Sequence, residues 1–365
     1  MTFLDELAWR GLLYQTAGTD VDTALATPMR VGYCGFDPTS DSLTIGNYLP
    51  IKLLMHWQRA GHKPIVVMGG GTGLIGRALA ARLLETGKSV VVLSRRPEAA
   101  TNLPVGVEVA GWDGKSEAAL APVLSEVDAF VHLAGENIGA GRWTEDRKRR
   151  IRSSRVESTT ALARAFEQCP SRPRVLLQGS AVGFYGARGN EPLAEDAPVG
   201  DDFLAGVCRD WEAAGAAVAA AGVRRVIART GVVLAAAEGA LPKMLLPFKL
   251  FAGGPVGSGN QVVSWIHLAD EVGALAHLLE DEGAQGVFNL AAPHAVSSRE
   301  LARAIGKVMH RPSWVPTPGF ALRLALGEMA TLVLTGQRAV PARLQERGYE
   351  FRFPQVEAAL RELLS

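Results

Sequence analysis

Residues 64–84 read PIVVMGGGTGLIGRALAARLL, and the order of residue types in this stretch decides how the chain is organised. The apolar run 64–68 reads as a buried strand, glycines follow at once, and 77–84 has the composition of a helix. Gly70, Gly73 and Gly76 stand at a Gly-x-x-Gly-x-x-Gly spacing. At the end of a parallel strand that spacing suits a dinucleotide. Gly70 permits the tight turn, Gly73 lets backbone amides approach a pyrophosphate, and Gly76 lets the helix pack closely on the strand. Thr72, Leu74 and Ile75 complete the turn. A lone glycine run is weak evidence, because glycine also simply ends strands; the flanking strand and helix make this one specific.

Toward the C-terminus, short apolar runs alternate with helical patterns. Strands are expected at 89–93, 129–133, 174–177 and 225–228, with long helices over 144–168 and 203–221. This alternation predicts an α/β chain built on a doubly wound parallel sheet, an extended Rossmann fold. The loop GGPVGSGN at 253–260 and three prolines within 312–318 point to a smaller C-terminal, substrate-side domain. Toward the N-terminus, 3–15 is amphipathic, 29–35 is a strand candidate, and 45–60 is a helix ending at Gly61. The reading divides the chain into an N-terminal strand and helix appendage (1–62), a dinucleotide-binding domain (63–240), and a substrate-side and C-terminal domain (241–365).

Composition bounds the function. The chain has 365 residues, 48% apolar and 21% charged, with a formal net charge of +1. That excludes disorder and a basic field of the size nucleic-acid binding requires. No apolar stretch reaches the ~18 residues of a membrane span, and Asp5 and Glu6 stand where a basic signal-peptide start belongs. A cytoplasmic globular protein with a small-molecule substrate and no membrane partner is expected, and a homodimer is left open. Cys34, Cys169 and Cys208 are far apart, without metal-ligand or disulfide spacing, so no metal site is expected.

The second strand ends in Ser94, Arg95 and Arg96. An NAD-selective site places a carboxylate there for the ribose 2′-hydroxyl. Arginine suits a 2′-phosphate, which its guanidinium can grip through two parallel hydrogen bonds, so NADP is the expected cofactor and NAD the alternative. The competing reading is a solvated basic turn.

Two family resemblances meet at the glycine run. Residues 1 to about 76 resemble the N-terminus of a bacterial tyrosyl-tRNA synthetase through FLDELAWRGLLYQT, YCGFDPTSDSLTIGN and QRAGHKPIVVMGGGTGLIG. The resemblance places a tyrosine and ATP site on Tyr33, Cys34, Gly35, Asp37 and Thr39, and the HIGH signature on Thr44, Ile45, Gly46 and Asn47. Thr44 stands where that signature has histidine, and no KMSKS-like loop, tyrosine-recognition helix or anticodon-binding domain follows. Tyrosine activation is therefore not expected, and tRNA is a partner only if this fragment works.

Residues from about 63 to 365 resemble the epimerase family of atypical short-chain dehydrogenase/reductases, which carry a C-terminal domain of unknown function, here about 312–362. The matching segments include GGTGLIGRAL, LAGENIGAGRWTEDRKRRIRSSRVEST, GSAVGFYG, DDFLAGVCRDWE, SWIHLAD and LGEMATLVLTGQRAVPARL. The resemblance implies a bound nicotinamide dinucleotide and places Leu133, Ala134 and Gly135 beside its adenine ribose. It also sharpens the catalytic question. The Tyr-x-x-x-Lys pair of the wider superfamily falls on Leu204 and Cys208, neither of which can supply that acid/base chemistry.

Three residues are candidate substitutes. Ser180 follows the fifth strand and approximately matches the superfamily's catalytic serine. Tyr185 offers a phenol near the nicotinamide or is a packed aromatic with a satisfied hydroxyl. Glu136, at a strand's C-terminal end, is a candidate base or a helix cap. Arg142, Trp143 and Arg155 fit an anionic pocket or a solvated helix face, and His267 reads as packed. The leading functional reading is an NADP-binding, epimerase-like oxidoreductase of unknown substrate. The others are a tyrosine-activating ligase and a dinucleotide-binding structural or regulatory protein.

The two resemblances also conflict in topology. The synthetase's sheet pairs the strand at 30–35 with the strand at 64–68, whereas a 3-2-1-4-5-6 sheet flanks that strand with those near 90 and near 130. A strand has two edges, so the larger module is expected to keep both.

Overall fold

In the computed structural model of the protein, the described residues are 64–68, 71–169 and 172–365. The expected N-terminal elements at 3–15, 29–35 and 45–60, the synthetase-like site positions, and Gly69 and Gly70 lie outside them.

Seven parallel strands form the main sheet: β1 (Pro64–Met68), β2 (Ser89–Ser94), β3 (Val107–Gly111), β4 (Ala129–His132), β5 (Val175–Ala181), β6 (Arg224–Thr230) and β7 (Gly286–Leu290). Their spatial order is β7-β6-β5-β4-β1-β2-β3, with β1 at the switch point. β1 pairs with β2 along one edge, Val67 opposite Val92, and with β4 along the other, Val67 opposite Val131. Both hydrogen-bonding edges of β1 are thus taken, as the larger module requires.

Period-two alternation sends successive side chains to opposite faces of the sheet. Val92, Val131 and Leu177 pack with Leu79 and Leu83 of α1 (Leu74–Glu85) and with Leu275 of a later helix at 268–280. Leu93, Phe130 and Leu176 pack on the other face, with Leu162 and Phe166 of α2 (Glu145–Gln168). Helices therefore cover both faces of a near-continuously apolar sheet. The helix expected over 203–221 is two, α3 (Phe203–Ala214) and a short turn at Ala216–Ala220, because Gly215 caps the first.

Beyond β6 the chain builds a third apolar cluster around Trp265, Leu301, Ile305 and Leu360. It draws on α4 (Leu241–Lys249) and, past α5 (Leu268–Glu280), whose Leu275 and Leu278 pack on the main sheet instead, on α6 (Ser298–Met309) and, after α7 (Gly319–Leu326), α8 (Val356–Leu364). Among the described residues no helix is long and apolar enough to cross a membrane.

Candidate functional site

Every strand of a parallel sheet delivers its C-terminal residue to the same edge, and the groups there face a ligand at the switch point. The protein has a cleft of about 870 Å³ at that place. Thr72 and Gly73 line its floor, Ser94, Arg95 and Arg96 one wall, and Ala134, Gly135 and Glu136 the opposite one. The cofactor residues expected from three separate segments thus converge on one cavity. Leu74 and Ile75 begin α1, half-buried, and Gly76 is buried within it. Leu133 packs against the core below the cleft and does not line it.

Gly73 is the N-cap of α1, and it has no side-chain cap bond and no acid in the first turn after it. By contrast, Thr144 caps α2 by accepting from the Arg147 amide, Asp202 caps α3, and Ser297 with Glu300 forms a capping box on α6. The first amides of α1 are therefore left for an anion. Arg77 in that first turn closes back, donating to the Thr72 carbonyl and pairing with Glu238 at 2.6 Å. Arg95 and Arg96 are exposed and carry no ion pair among the described residues. The Ser94 hydroxyl accepts from the Arg96 amide at 3.1 Å, holding the turn in which both arginines sit.

Gly135 has a reason to be glycine, since a Cβ there would lie 2.7 Å from the guanidinium carbon of Arg155. That guanidinium stacks 5.1 Å from the Trp211 ring, and its burial lowers its pKa. Glu136 lines the cleft, but its carboxylate is held by Arg147 at 3.2 Å and Arg150 at 3.4 Å. Its amide donates to Ser154 on α2 at 3.0 Å. Glu136 is thus a fixed, charge-paired wall.

Several lining groups were not legible in the sequence. Trp112, Asp113, Gly114 and Lys115 follow β3, which lacks an apolar run. Asp113 accepts the Lys115 and Ser116 amides at 2.8 Å each, and those two bonds hold its carboxyl below the usual range. Lys115 reaches across to Glu157 at 3.2 Å. Ser153, Ser154, Glu157 and Ser158 form one face of α2; their i, i+4 spacing within RSSRVES was the signal that could have found them. Behind Ser158, buried His132 sits with Nε2 at 2.8 Å from Thr159 Oγ1 and 3.2 Å from Ser158 Oγ. Burial, then the charge of Arg155, pushes the His132 pKa down to about 3, so the ring is neutral.

The two remaining catalytic candidates lie outside this cleft. Ser180, at the end of β5, donates to Glu212 Oε1 at 2.6 Å. Glu212 in turn receives two hydrogen bonds from Arg229, each at 2.8 Å. Tyr185 is fully buried; its hydroxyl donates to Asn289 Oδ1 at 2.7 Å and accepts from Arg229 at 3.0 Å. Burial raises its pKa. This is the packed aromatic with a satisfied hydroxyl. The superfamily's Tyr and Lys positions hold half-buried Leu204 and buried Cys208, whose thiol is pushed up to about 12 by burial. Arg142 donates to the Ala325 and Leu324 carbonyls, Trp143 is buried, and His267 pairs with Glu362, so none of these three stands free for a substrate anion. Among the described residues no His/Cys/Asp/Glu group could hold a metal.

Comparison with known proteins agrees with this architecture. Residues 65–291 match the model of the NAD dependent epimerase/dehydratase family, and 317–363 match a domain of unknown function, DUF1731. Residues 26–97 match the model of class I tRNA synthetases for W and Y, so two families claim the stretch from 65 to 97. The chain is 38% identical over 301 residues to the epimerase family protein YfhF of Bacillus subtilis, covering 82% of this chain and 98% of that one. It is 39% identical to the epimerase family protein SDR39U1 of Bos taurus, covering 82% and 99%. The structure of human SDR39U1, solved with NADPH, superposes with a TM-score of 0.72 at 36% identity, covering 82% and 98%.

Proposed function

Because the chain belongs to the NAD dependent epimerase/dehydratase family, we propose that it binds NADPH in the cleft at the end of β1 and works as an oxidoreductase or epimerase on a small molecule. The observation that carries this reading is the pair of cations, Arg95 and Arg96, without an ion pair among the described residues and in the same cleft as the N-terminus of α1, which no side chain caps among them. The amides after Gly73 take the pyrophosphate, and Ser94, Arg95 and Arg96 take the 2′-phosphate that distinguishes NADPH from NADH. Ala134 and Gly135, small and backed by Arg155, would leave room on that wall for the adenosine half. The relative solved with NADPH supports the same choice of cofactor.

The cofactor, when bound, supplies a hydride. The chain supplies its binding and orientation through the residues of the cleft, while the Ser180 hydroxyl, outside the cleft, is held by Glu212. Calorimetric titration with NADPH and with NADH tests the reading. Selective binding of NADPH is expected, and no heat at millimolar cofactor would reject it.

A second reading is favoured by the residues at 204 and 208. With leucine and a buried thiol where the superfamily keeps its acid/base pair, the chain binds the dinucleotide in a structural or regulatory role without turning it over. NADPH consumption with a panel of carbonyl and sugar-nucleotide substrates separates the two readings.

A further inference from the structure

Six of the large apolar side chains that remain exposed, Leu246, Leu250, Phe251, Trp314, Phe320 and Leu324, fall within two segments, 239–269 and 301–327. Neither segment contains a single Asp or Glu, although the whole chain is nearly neutral. The segments are bound to each other. The Val315 amide donates to the Gly253 carbonyl at 3.0 Å, the Gly257 amide to Thr317 at 2.9 Å, and the Arg311 guanidinium lies 4.4 Å from the Phe251 ring centre. The two segments therefore adjoin, and both are apolar and basic.

α7, GFALRLAL, is their clearest part. It buries none of its residues, although Arg323 is its one charged side chain. Phe320 and Leu324, spaced i, i+4 on one face, are 75% and 78% exposed. The helix is not loosely held, because Arg142 clamps its last carbonyls and the next acid along the chain, Glu328, is paired with Lys148. Phe251, with φ of 58°, occupies the left-handed region that non-glycine residues rarely adopt, and its ring is exposed. Lys249 and Arg323 are exposed and have no acidic partner among the described residues.

We propose that this surface docks onto an anionic phospholipid membrane, with Phe320, Leu324, Phe251 and Trp314 entering the interface and Lys249, Arg311 and Arg323 meeting the headgroups. Aromatic and aliphatic side chains rimmed by cations match a surface that offers apolar depth and negative charge together. A second copy of the chain fits less well: a two-fold contact through this patch would set the cations against their own copies. The attachment is peripheral, on a helix of eight residues.

Co-sedimentation of the full chain with vesicles tests the proposal. Binding is expected to vesicles of phosphatidylcholine mixed with phosphatidylglycerol, with much weaker binding to phosphatidylcholine alone and release by salt. Phe320→Ser with Leu324→Ser should lower partitioning at least about tenfold, with circular dichroism and NADPH affinity unchanged. Lys249→Glu with Arg323→Glu should abolish the preference for the anionic lipid. Three results would overturn the proposal: no binding to either vesicle, equal binding by the wild type and the serine variant, or a concentration-dependent dimer that the serine variant abolishes while vesicles go unbound.

Discussion

The two sides of the sheet's C-terminal edge differ in how their polar groups are spent. Around β1, β2 and α1 the N-terminus of α1 at Gly73 has no side-chain cap, and Arg95 and Arg96 no ion pair, among the described residues. Around β5 and β6 the candidate side chains are taken: Ser180 by Glu212, Glu212 by Arg229, Tyr185 by Arg229 and Asn289. Both regions consist of polar residues at parallel strand ends, where ligands bind in such folds. What separates a binding site from structural scaffolding is whether the polar groups are already satisfied inside the protein.

The largest effect should come from the unsatisfied side. Arg95→Glu with Arg96→Glu is expected to weaken NADPH by about a thousandfold, removing two charge-assisted contacts and adding repulsion, while NADH changes by only a few-fold. Equal losses for both cofactors in calorimetry would show that the basic turn merely faces solvent.

On the satisfied side, Glu212→Gln strands the Arg229 guanidinium, whose side chain is 4% exposed, and should cost about 3 kcal/mol in chemical denaturation. The remaining folded protein should bind NADPH with unchanged affinity. A selective loss of affinity would mean that the network belongs to the binding site.

The pH dependence of stability probes the boundary between the two. His132 is held neutral with a pKa near 3 in the fold, against 6.5 for the unconstrained ring. Between those values the unfolded chain binds the extra proton, so stability is present above pH 6.5 and is lost as pH falls. The loss from this group should reach about 2 kcal/mol by pH 5. Denaturation midpoints followed across that range should flatten in His132→Asn; an unchanged slope would assign the dependence to other groups.

The smallest expected effect is at Gly135. Its alanine variant forces the end of the Arg155 side chain to move, and NADPH should weaken by roughly threefold, or about 0.7 kcal/mol. An affinity equal to the parent's would show that Arg155 yields freely and that the glycine matters little to the cleft.

The main strands were legible where they carried continuous apolar runs, as at 89–93, 129–133 and 174–177, because a strand covered on both faces needs apolar side chains at every position. β3 was not, since as the edge strand its residues are only partly buried and their types mixed. β7 was not either: GVFNL is short, and its Asn289 is tolerated only because Tyr185, Leu193 and Val340 satisfy the amide. The cofactor turn was legible because glycine spacing and the charge at the end of β2 are local facts. Trp112 and Lys115 entered the cleft from a loop no local pattern places there, and the serine face of α2, although its i, i+4 spacing is a local fact, is directed to the cleft only by the packing of the helix on the sheet.

The sequence by itself determined the strand, turn and helix order at 64–84, the choice of arginine over a carboxylate at 95 and 96, and the two families that claim the glycine run. Each follows from residue type and spacing along a few turns of chain. Tertiary structure alone decided which claimant keeps β1, because a strand has two hydrogen-bonding edges and β2 and β4 occupy both. It also decided which strand-end side chains are free to act. Whether Tyr185, Ser180 or Glu136 has a partner depends on residues from 11 to 104 positions away, brought within 3.5 Å only by the fold.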